Sequence, residues 1–253
     1  MRAQLEYFFA ALRFFTRLPV PAWVGHSDAQ LNRATRYFPL VGWIVGLIGA
    51  AVTWAAAWVL PLSIAVLLGM AATLLATGAF HEDGFADSCD GFGGGWTKED
   101  VLRIMKDSRI GSYGAIGIGV LLLTKWNALY ELDDSLLSAL LAAHPISRAA
   151  ATTLIYALDY VRDEDGKSKP LAVRIGGGEL ATAWLFGLLP TVLLGWLLSW
   201  QLALQGVLAV VAVTLLMAAY TRRRIGGYTG DVLGATQQLA EVFFYLGLLC
   251  AFS

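Results

Sequence analysis

Long uncharged hydrophobic segments alternate with short polar stretches along almost the whole chain. A bilayer core about 30 Å thick needs roughly 20 apolar residues for one helix to cross it. Seven segments approach this length, and four of them contain no Asp, Glu, Lys or Arg. They cover residues 38–60, 61–80, 112–130, 135–158, 180–199, 201–220 and 236–252. The pattern predicts an all-α, polytopic integral membrane bundle of about seven transmembrane helices, forming a single domain over residues 1–253.

The segment before the first predicted span is amphipathic. Leu5, Phe8, Leu12 and Phe15 recur at helical spacing, and Arg13 lies among them. Such a stretch is typical of a helix in the plane of the membrane interface. We predict an N-terminal interfacial helix over residues 5–15. Its charges also interrupt the apolar region that a signal peptide requires.

Composition supports a membrane protein. Hydrophobic residues make up 57% of the chain and charged residues 15%, against about 45–50% and 25% in soluble domains. The hydrophobic composition leads us to expect the lipid bilayer as a partner. The formal net charge of −1 shows no basic excess, so we expect no nucleic acid as a partner. The two cysteines, Cys89 and Cys250, are too few for a disulfide framework, and we expect both to be reduced.

The positive charges indicate the orientation. Of the 18 Lys and Arg residues, 16 lie in four stretches, residues 1–37, 81–111, 159–179 and 221–235. Seven spans put all four stretches on one side, and Lys and Arg concentrate in cytoplasmic loops. We therefore predict that the N-terminus and the long loops face the cytoplasm and that the C-terminus lies outside.

The most informative loop is residues 81–91, which carries four carboxylates. If the second span continues as a helix, Asp83, Asp87 and Asp90 fall within about 60° of one another around its axis. Like charges at this spacing repel, and hard oxygen ligands favour Mg²⁺ over Zn²⁺. Either two ions share Asp87, or one ion is completed from another loop, with Asp107 and Asp231 as candidates. A solvated acidic helix end is the competing interpretation.

Two further polar residues of this loop are weaker candidates. Glu82 lies about 100° away from the shared face and is expected to be peripheral. His81 could act as a general base, although a histidine at a helix–water boundary is more often an interfacial residue.

Two basic, glycine-containing stretches resemble anion sites. Residues 106–114 combine Lys106 and Arg109 with a serine and glycines at the start of a predicted span. Free backbone N–H groups at such a position favour phosphate. Residues 222–234 place three arginines before a glycine-rich turn and Asp231, and arginine can bind phosphate through two hydrogen bonds. Plain positive-inside anchors are the alternative in both cases. The candidate phosphate-binding residues are Lys106, Arg109, Arg222, Arg223, Arg224, Gly227, Thr229 and Gly230.

A few ionisable residues fall inside predicted spans. Glu241 is an intramembrane carboxylate and therefore a functional candidate. Lys125, His144 and Arg148 also lie within spans, where Lys125 and Arg148 could simply pair with acids.

Taken together in this order, the motifs resemble the adenosylcobinamide-GDP ribazoletransferase family, also called cobalamin synthases. The resemblance covers nearly the whole chain and includes residues 14–21, 37–42, 81–91, 106–114 and 226–235. It implies a Mg²⁺-dependent reaction in which a ribose hydroxyl of α-ribazole, or of its 5′-phosphate, attacks the cobinamide-bound phosphorus of adenosylcobinamide-GDP. GMP leaves, and adenosylcobalamin or its 5′-phosphate forms. It also implies a bacterial cytoplasmic (inner) membrane location, with a homo-oligomer and association with other cobalamin-assembly enzymes as further expectations.

Under this hypothesis Asp83, Asp87 and Asp90 hold Mg²⁺, and Asp231 and Asp107 complete the site. Arg109 and one or more of the arginines at residues 222–224 neutralise phosphate oxygens, and a carboxylate or His81 accepts the hydroxyl proton. Other membrane transferases also use aspartate clusters, but Asp87 stands where the CDP-alcohol phosphotransferase pattern requires arginine. A transporter is the second alternative, and it would place its ionisable residues near the membrane midplane.

Overall fold

The computed structural model describes residues 2–25, 27–161 and 175–250, and these residues form the predicted all-α architecture. The helices are α1 Arg2–Phe15, α2 Asp28–Ala34, α3 Phe38–Ala57, α4 Leu62–Thr77, α5 Phe80–Gly94, α6 Lys98–Met105, α7 Ser112–Glu131, α8 Leu136–Ala157, α9 Gly177–Leu197, α10 Trp200–Ile225 and α11 Gly230–Leu249. Within the described ranges, β-structure is limited to an isolated bridge between Tyr160 and Tyr228.

Within the described residues, most of each predicted membrane segment lies on one of these helices. Among the described residues, four helical stretches are long and apolar enough to cross a membrane, namely Gln30–Ala57, Gly177–Leu197, Trp200–Ile225 and Gly230–Leu249. The bent pair α4 and α5 adds a fifth if it is one broken span. α7 and α8 have spanning length but include Lys125, His144 and Arg148. All three side chains are buried by other helices, where polar residues are tolerated in a membrane bundle.

Helix α8 is the centre of the bundle and contacts α3, α9 and α11. Small residues allow this close packing. A Cβ on Gly42 of α3 would lie 2.6 Å from the carbonyl oxygen of His144, and one on Gly187 of α9 would lie 2.8 Å from the Cβ of Ala149. Glycine at such contacts lets helix backbones approach closely. Larger residues at either position would push the outer helices away from α8.

The second predicted span differs from expectation at its end. The sequence predicts a span over residues 61–80 that could continue as a helix into the acidic motif, but α4 ends at Thr77 and α5 starts at Phe80 with a bend of 90°. Gly78 and Ala79 have φ values of 68° and 57°, which a continuous right-handed helix cannot contain. A Cβ on Gly78 would also collide with the guanidinium group of Arg17. The acidic motif therefore lies on a separate helix.

The last helix begins earlier than predicted, at Gly230 instead of residue 236. The Thr229 hydroxyl accepts a hydrogen bond from the Val232 backbone N–H at 3.2 Å and caps the helix. Asp231 consequently lies in the first turn of α11 rather than in a loop. The helix ends at Leu249, and the predicted end at residue 252 lies outside the described residues.

The four positively charged stretches meet at one end of the molecule. A single buried cluster contains at least one side chain from each of them: Val24, Ala34, Val101, Met105, Ile175, Ile225 and Tyr228. This arrangement agrees with the predicted topology, in which the same four stretches share one side. Arg162, Lys167, Lys169 and Arg174, which contribute to the predicted charge pattern, lie outside the described residues.

The N-terminal segment forms the predicted helix, extended to Arg2–Phe15, and packs against α2 and α3. Its apolar face buries Ala11, Leu12 and Phe15. Arg13 points away from this face and donates to the carbonyl oxygens of Val24 and Gly25 at 3.0 and 2.6 Å. Phe14 and Phe15 contact Phe80 and His81 at the start of α5, which places α1 at the end of the bundle that carries the acidic helix.

Candidate active site

The acidic helix α5 presents its three aspartates to different surroundings. Asp83 is exposed, Asp87 is half-buried and Asp90 is buried. They share a helix face, as predicted, but α7 covers the end that carries Asp90. The exposed and half-buried carboxylates are the ones that a ligand from solution can reach.

Asp90 holds the start of α7. Its Oδ2 accepts a hydrogen bond from the Gly111 N–H at 2.7 Å, and its Oδ1 accepts one from the Gly114 N–H at 2.8 Å. A Cβ on either glycine would collide with the Asp90 carboxylate. Both carboxylate oxygens are therefore engaged in joining α5 to the neighbouring loop. Metal binding by Asp90 stays a prediction beside this structural role.

Asp231 is brought against the acidic helix by tight backbone packing. A Cβ on Gly84 would lie 3.0 Å from both the Cα and the carbonyl oxygen of Asp231. A Cβ on Gly234, one turn further along α11, would lie 3.0 Å from the carbonyl oxygen of His81. Gly84 lies between Asp83 and Asp87 in the sequence, so the structure brings the backbones of all three aspartates to one place.

The carboxylates of Asp83, Asp87 and Asp231 do not by themselves form a complete set of metal ligands. Across the parts of the chain that the structure describes, no group of three or more His, Cys, Asp or Glu residues is arranged to hold a metal ion. Mg²⁺ commonly binds through one or two carboxylates together with waters and substrate phosphates. The arrangement at Asp83, Asp87 and Asp231 is compatible with that kind of site.

The carboxylate of Asp107 is hydrogen-bonded to Arg109. Its carboxylate accepts hydrogen bonds from the Arg109 backbone N–H at 3.1 Å, from Nε at 3.1 Å and from Nη2 at 2.8 Å. These hydrogen bonds lower the pKa of Asp107 to about 2. Because the pKa is depressed, the carboxylate stays ionised above that value and the pair persists at neutral pH. The Arg109 side chain is 87% exposed, and the neighbouring Lys106 is also exposed.

In the second basic stretch, residues 222–224, two arginines are exposed to solvent and the third contacts other helices. Arg222 and Arg223 are exposed. Arg224 donates from Nη2 to the carbonyl oxygen of Gly95 at 2.7 Å and lies over the Phe92 ring at 5.9 Å. Arg224 therefore fixes the end of α10 to the end of α5.

The glycine-rich turn before α11 is also mainly structural. A Cβ on Gly227 would collide with the carbonyl oxygen of Asp159. The Tyr228 N–H donates to that same oxygen at 2.9 Å, and Thr229 is the helix cap. Gly230 differs, because a Cβ there would meet nothing within 4 Å. Of these predicted phosphate-binding residues, Gly230 has open space beside it.

His81 is buried at the start of α5. Its ring stacks on Phe15 with centroids 5.2 Å apart and planes at 11°, and it meets Phe80 edge-on at 5.4 Å. It lies two residues before Asp83. Its proposed part in proton transfer stays a prediction.

Glu82 and Glu241 belong to one buried polar network that the sequence did not reveal as a unit. Gln238 on α11 donates from Nε2 to Glu82 Oε1 at 2.8 Å and accepts from Lys125 Nζ at 2.7 Å. Lys125 pairs with Glu241 at 3.0 Å, as expected for an intramembrane lysine. Glu241 also accepts from Gln237 at 2.9 Å.

In this network Gln238 joins α11 to α5 and α7, although a glutamine carries no charge signal in the sequence. Gln237 and Gln238 are buried amides on α11, and buried amides need partners. That unusual pair of glutamines was the available clue. The network fixes the position of α5 relative to α11 and supports the placement of Asp83, Asp87 and Asp231.

Comparison with known proteins identifies the family. The family model described as cobalamin-5-phosphate synthase matches residues 7–249. The chain belongs to this family.

Relatives in the cobalamin-5-phosphate synthase family are similar over nearly their whole length. An adenosylcobinamide-GDP ribazoletransferase of Shewanella frigidimarina is 50% identical, covering 97% of this chain and 95% of the relative. A protein of the same name from Ralstonia pickettii is 48% identical, covering 98% and 97%. One from Shewanella oneidensis is also 48% identical, covering 97% and 94%. No solved structure matches the chain.

Proposed function

We propose that this chain is the membrane transferase that its relatives are named for. A ribose hydroxyl of α-ribazole, or of its 5′-phosphate, forms a bond to the cobinamide-bound phosphorus of adenosylcobinamide-GDP. The bond from that phosphorus to the GMP group breaks, and GMP leaves with its electron pair. The hydroxyl proton passes to a base, and the product is adenosylcobalamin or its 5′-phosphate.

The packing of the acidic helix on the start of α11 carries this proposal. Gly84 and Gly234 let α5 and α11 approach until the Asp231 backbone lies against Gly84. Asp83 and Asp87 flank that contact on one helix face. Reactions at a diphosphate depend on positioning and on neutralisation of negative charge, and this end of the molecule offers both carboxylates for a cation and exposed arginines.

Mg²⁺ is the metal that this donor set fits. Asp83, Asp87 and Asp231 supply hard carboxylate oxygens, and the described residues offer no cysteine or histidine cluster that would favour zinc. When bound, Mg²⁺ neutralises phosphate oxygens and stabilises charge on the departing nucleotide. Asp90 supports the site through its hydrogen bonds to Gly111 and Gly114.

Exposed lysine and arginine side chains at the same end of the molecule bind the substrate phosphates. We assign this role to Lys106, Arg109, Arg222 and Arg223, whose side chains extend into solvent. The proton acceptor is an acidic-helix carboxylate or His81, which lies two residues before Asp83.

The enzyme acts at the cytoplasmic face of a bacterial inner membrane, with the four positive stretches inside. The shared buried cluster of those stretches and the positive-inside rule support this orientation. Both substrates are polar and reach the site from that side. A homo-oligomer and contacts with other cobalamin-assembly enzymes remain part of the proposal.

Transfer activity in liposomes tests the proposal directly. Adenosylcobinamide-GDP and α-ribazole 5′-phosphate are supplied with and without Mg²⁺, and GMP and the cobamide product are measured together. We expect equal amounts of both products and no turnover without the metal. Near-normal activity of Asp87→Asn at wild-type protein level would refute the metal assignment, and turnover of a CDP-alcohol instead would refute the reaction.

A further inference from the structure

Gln238 of α11 is buried in the bundle and makes three side-chain hydrogen bonds. Its Oε1 accepts from Lys125 Nζ of α7 at 2.7 Å. Its Nε2 donates to Glu82 Oε1 of α5 at 2.8 Å and to Gln237 Oε1 at 2.8 Å. Because both ends of the amide are occupied, its orientation is fixed.

Lys125 determines which way this amide faces. An ammonium group donates hydrogen bonds and accepts none, so the carbonyl oxygen of Gln238 has to face α7. Lys125 is itself held by Glu241, at 3.0 Å. The amide nitrogen of Gln238 is therefore directed to α5, where the Glu82 carboxylate supplies the complementary acceptor.

The Glu82 side chain depends on Gln238 for its position. Its Oε1 accepts from Gln238, whereas its Oε2 is buried and has no hydrogen-bond partner among the residues that the structure describes. The contact with Gln238 consequently restrains α5 at residue 82, one residue before Asp83.

Two directional contacts bracket the accessible aspartates of α5. Glu82 bonds to α11 near the start of the helix, and Asp90 bonds to the start of α7 near its end. Asp83 and Asp87 lie between these two contacts. The contact at Glu82 is the one nearest to Asp83.

Rotation of α5 about its own axis is the movement that these contacts oppose. Close packing at Gly84 sets the distance from α5 to the Asp231 backbone, but a glycine has no side chain to resist rotation. Side chains extend to about 5–6 Å from a helix axis, so a rotation of about 10° moves a carboxylate by about 1 Å. Displacements of about 1 Å can cost about 10²-fold in rate.

We propose that Gln238 is a positioning residue for the metal site of the proposed function. By holding Glu82, it fixes the rotation at which α5 presents Asp83 and Asp87 beside Asp231. Glu82 acts through this hydrogen bond and not as a metal ligand or a base. The inference rests on the proposed function, because it concerns the same site.

Mn²⁺ binding tests the inference without turnover, because Mn²⁺ accepts the same oxygen ligands as Mg²⁺ and is detected by electron paramagnetic resonance. Gln238→Met keeps a side chain of similar length but removes the amide. We expect it to raise the half-saturating Mn²⁺ concentration about tenfold, as changes to groups that orient metal ligands commonly do. The matched control is Gln201→Met, at an exposed glutamine of α10, which should bind Mn²⁺ as the wild type does. Wild-type Mn²⁺ binding by Gln238→Met, or no Mn²⁺ binding by the wild type, would overturn the inference.

Exchange of the two side chains separates positioning from a direct role of the Glu82 charge. In the double variant Glu82→Gln with Gln238→Glu, the amide at position 82 donates to the carboxylate at position 238, which still accepts from Lys125. We expect this double variant to recover Mn²⁺ binding and kcat relative to Gln238→Met. A double variant as impaired as Gln238→Met would show that the Glu82 charge acts at the site directly, and the inference would be wrong.

Cys89 reports the rotation of α5 independently of any metal. It is half-buried on α5 and faces α7, where a Cβ on Gly117 would lie 2.6 Å from its Sγ. In a Cys250→Ser background, we expect N-ethylmaleimide to modify Cys89 faster when Gln238→Met is present and to return to the original rate in the double variant. An unchanged rate in Gln238→Met would overturn the inference. Since neither readout requires transfer, a wild type that releases no GMP would refute the proposed function and leave the positioning role intact.

Discussion

At the residue scale, burial and hydrogen bonding separate the aspartates of α5 into two groups. Asp83 is exposed, whereas both oxygens of Asp90 are occupied by backbone N–H groups of the 111–114 segment. Asp83 and Asp90 have identical side chains seven residues apart, but their surroundings differ. In the proposed function Asp83 binds the ligand, whereas Asp90 holds α7 and its loop in place. The two groups should respond differently to the same Asp→Asn change.

Asp90→Asn is expected to destabilise the fold. Asparagine keeps one acceptor oxygen but loses the charge, and hydrogen bonds to charged groups contribute about 1.5–3 kcal/mol. We expect a loss of that size in the free energy of unfolding, measured by SDS titration in mixed micelles. Asp134→Asn, at an exposed aspartate in the turn between α7 and α8, is the control and should change little. Wild-type stability of Asp90→Asn would contradict the capping role.

At the element scale, the site depends on how closely α5 approaches α11. Gly84 is the contact point, and no side chain separates it from the Asp231 backbone. The hydropathy pattern predicted that helices exist at both places and predicted the acidic face. It did not predict the break at Gly78 and Ala79, because both residues are uncharged and the apolar run continues through them. The hydropathy pattern also did not predict the early start of α11, since that start depends on the Thr229 cap.

Gly84→Ala should impair catalysis more than folding. The added Cβ would stand 3.0 Å from Asp231 backbone atoms, so α5 and α11 must separate by a few tenths of an ångström. Misplacement of reacting groups by about 1 Å can cost about 10²-fold in rate, and we expect roughly a tenfold loss of kcat. Gly119→Ala on α7 is the control, because a Cβ there meets nothing within 4 Å. Full activity of Gly84→Ala would show that the helix approach is not critical.

At the scale of the whole molecule, one end carries the four charged stretches and the proposed site, and the other consists of short turns. The charge pattern was sufficient to predict this division, because 16 of 18 positive charges lie in four stretches. The partners of Gln238, which are Lys125 and Glu82, could not be predicted, since each lies more than 100 positions from it in the sequence. Long-range partners of uncharged polar residues leave no local pattern in the sequence.

Orientation in the membrane can be tested with the two natural cysteines. Cys250 is exposed next to the end of α11, and Cys89 is half-buried on α5. In the Cys89→Ser variant, a membrane-impermeant maleimide should label Cys250 in right-side-out vesicles and not in inside-out vesicles. The Cys250→Ser variant controls for labelling at Cys89. Labelling of Cys250 in inside-out vesicles alone would place the C-terminus in the cytoplasm and contradict the topology.

The most direct test of the central claim is the Mg²⁺ dependence of transfer in aspartate variants. GMP release is measured against Mg²⁺ concentration for the wild type, Asp83→Asn, Asp87→Asn and Asp231→Asn, with Asp134→Asn as control. The account predicts that each of the three raises the half-saturating Mg²⁺ concentration at least tenfold, about 1.4 kcal/mol of metal binding, and that the control matches the wild type. Wild-type Mg²⁺ dependence in all three variants, or full turnover in EDTA, would contradict a magnesium site where α5 meets α11.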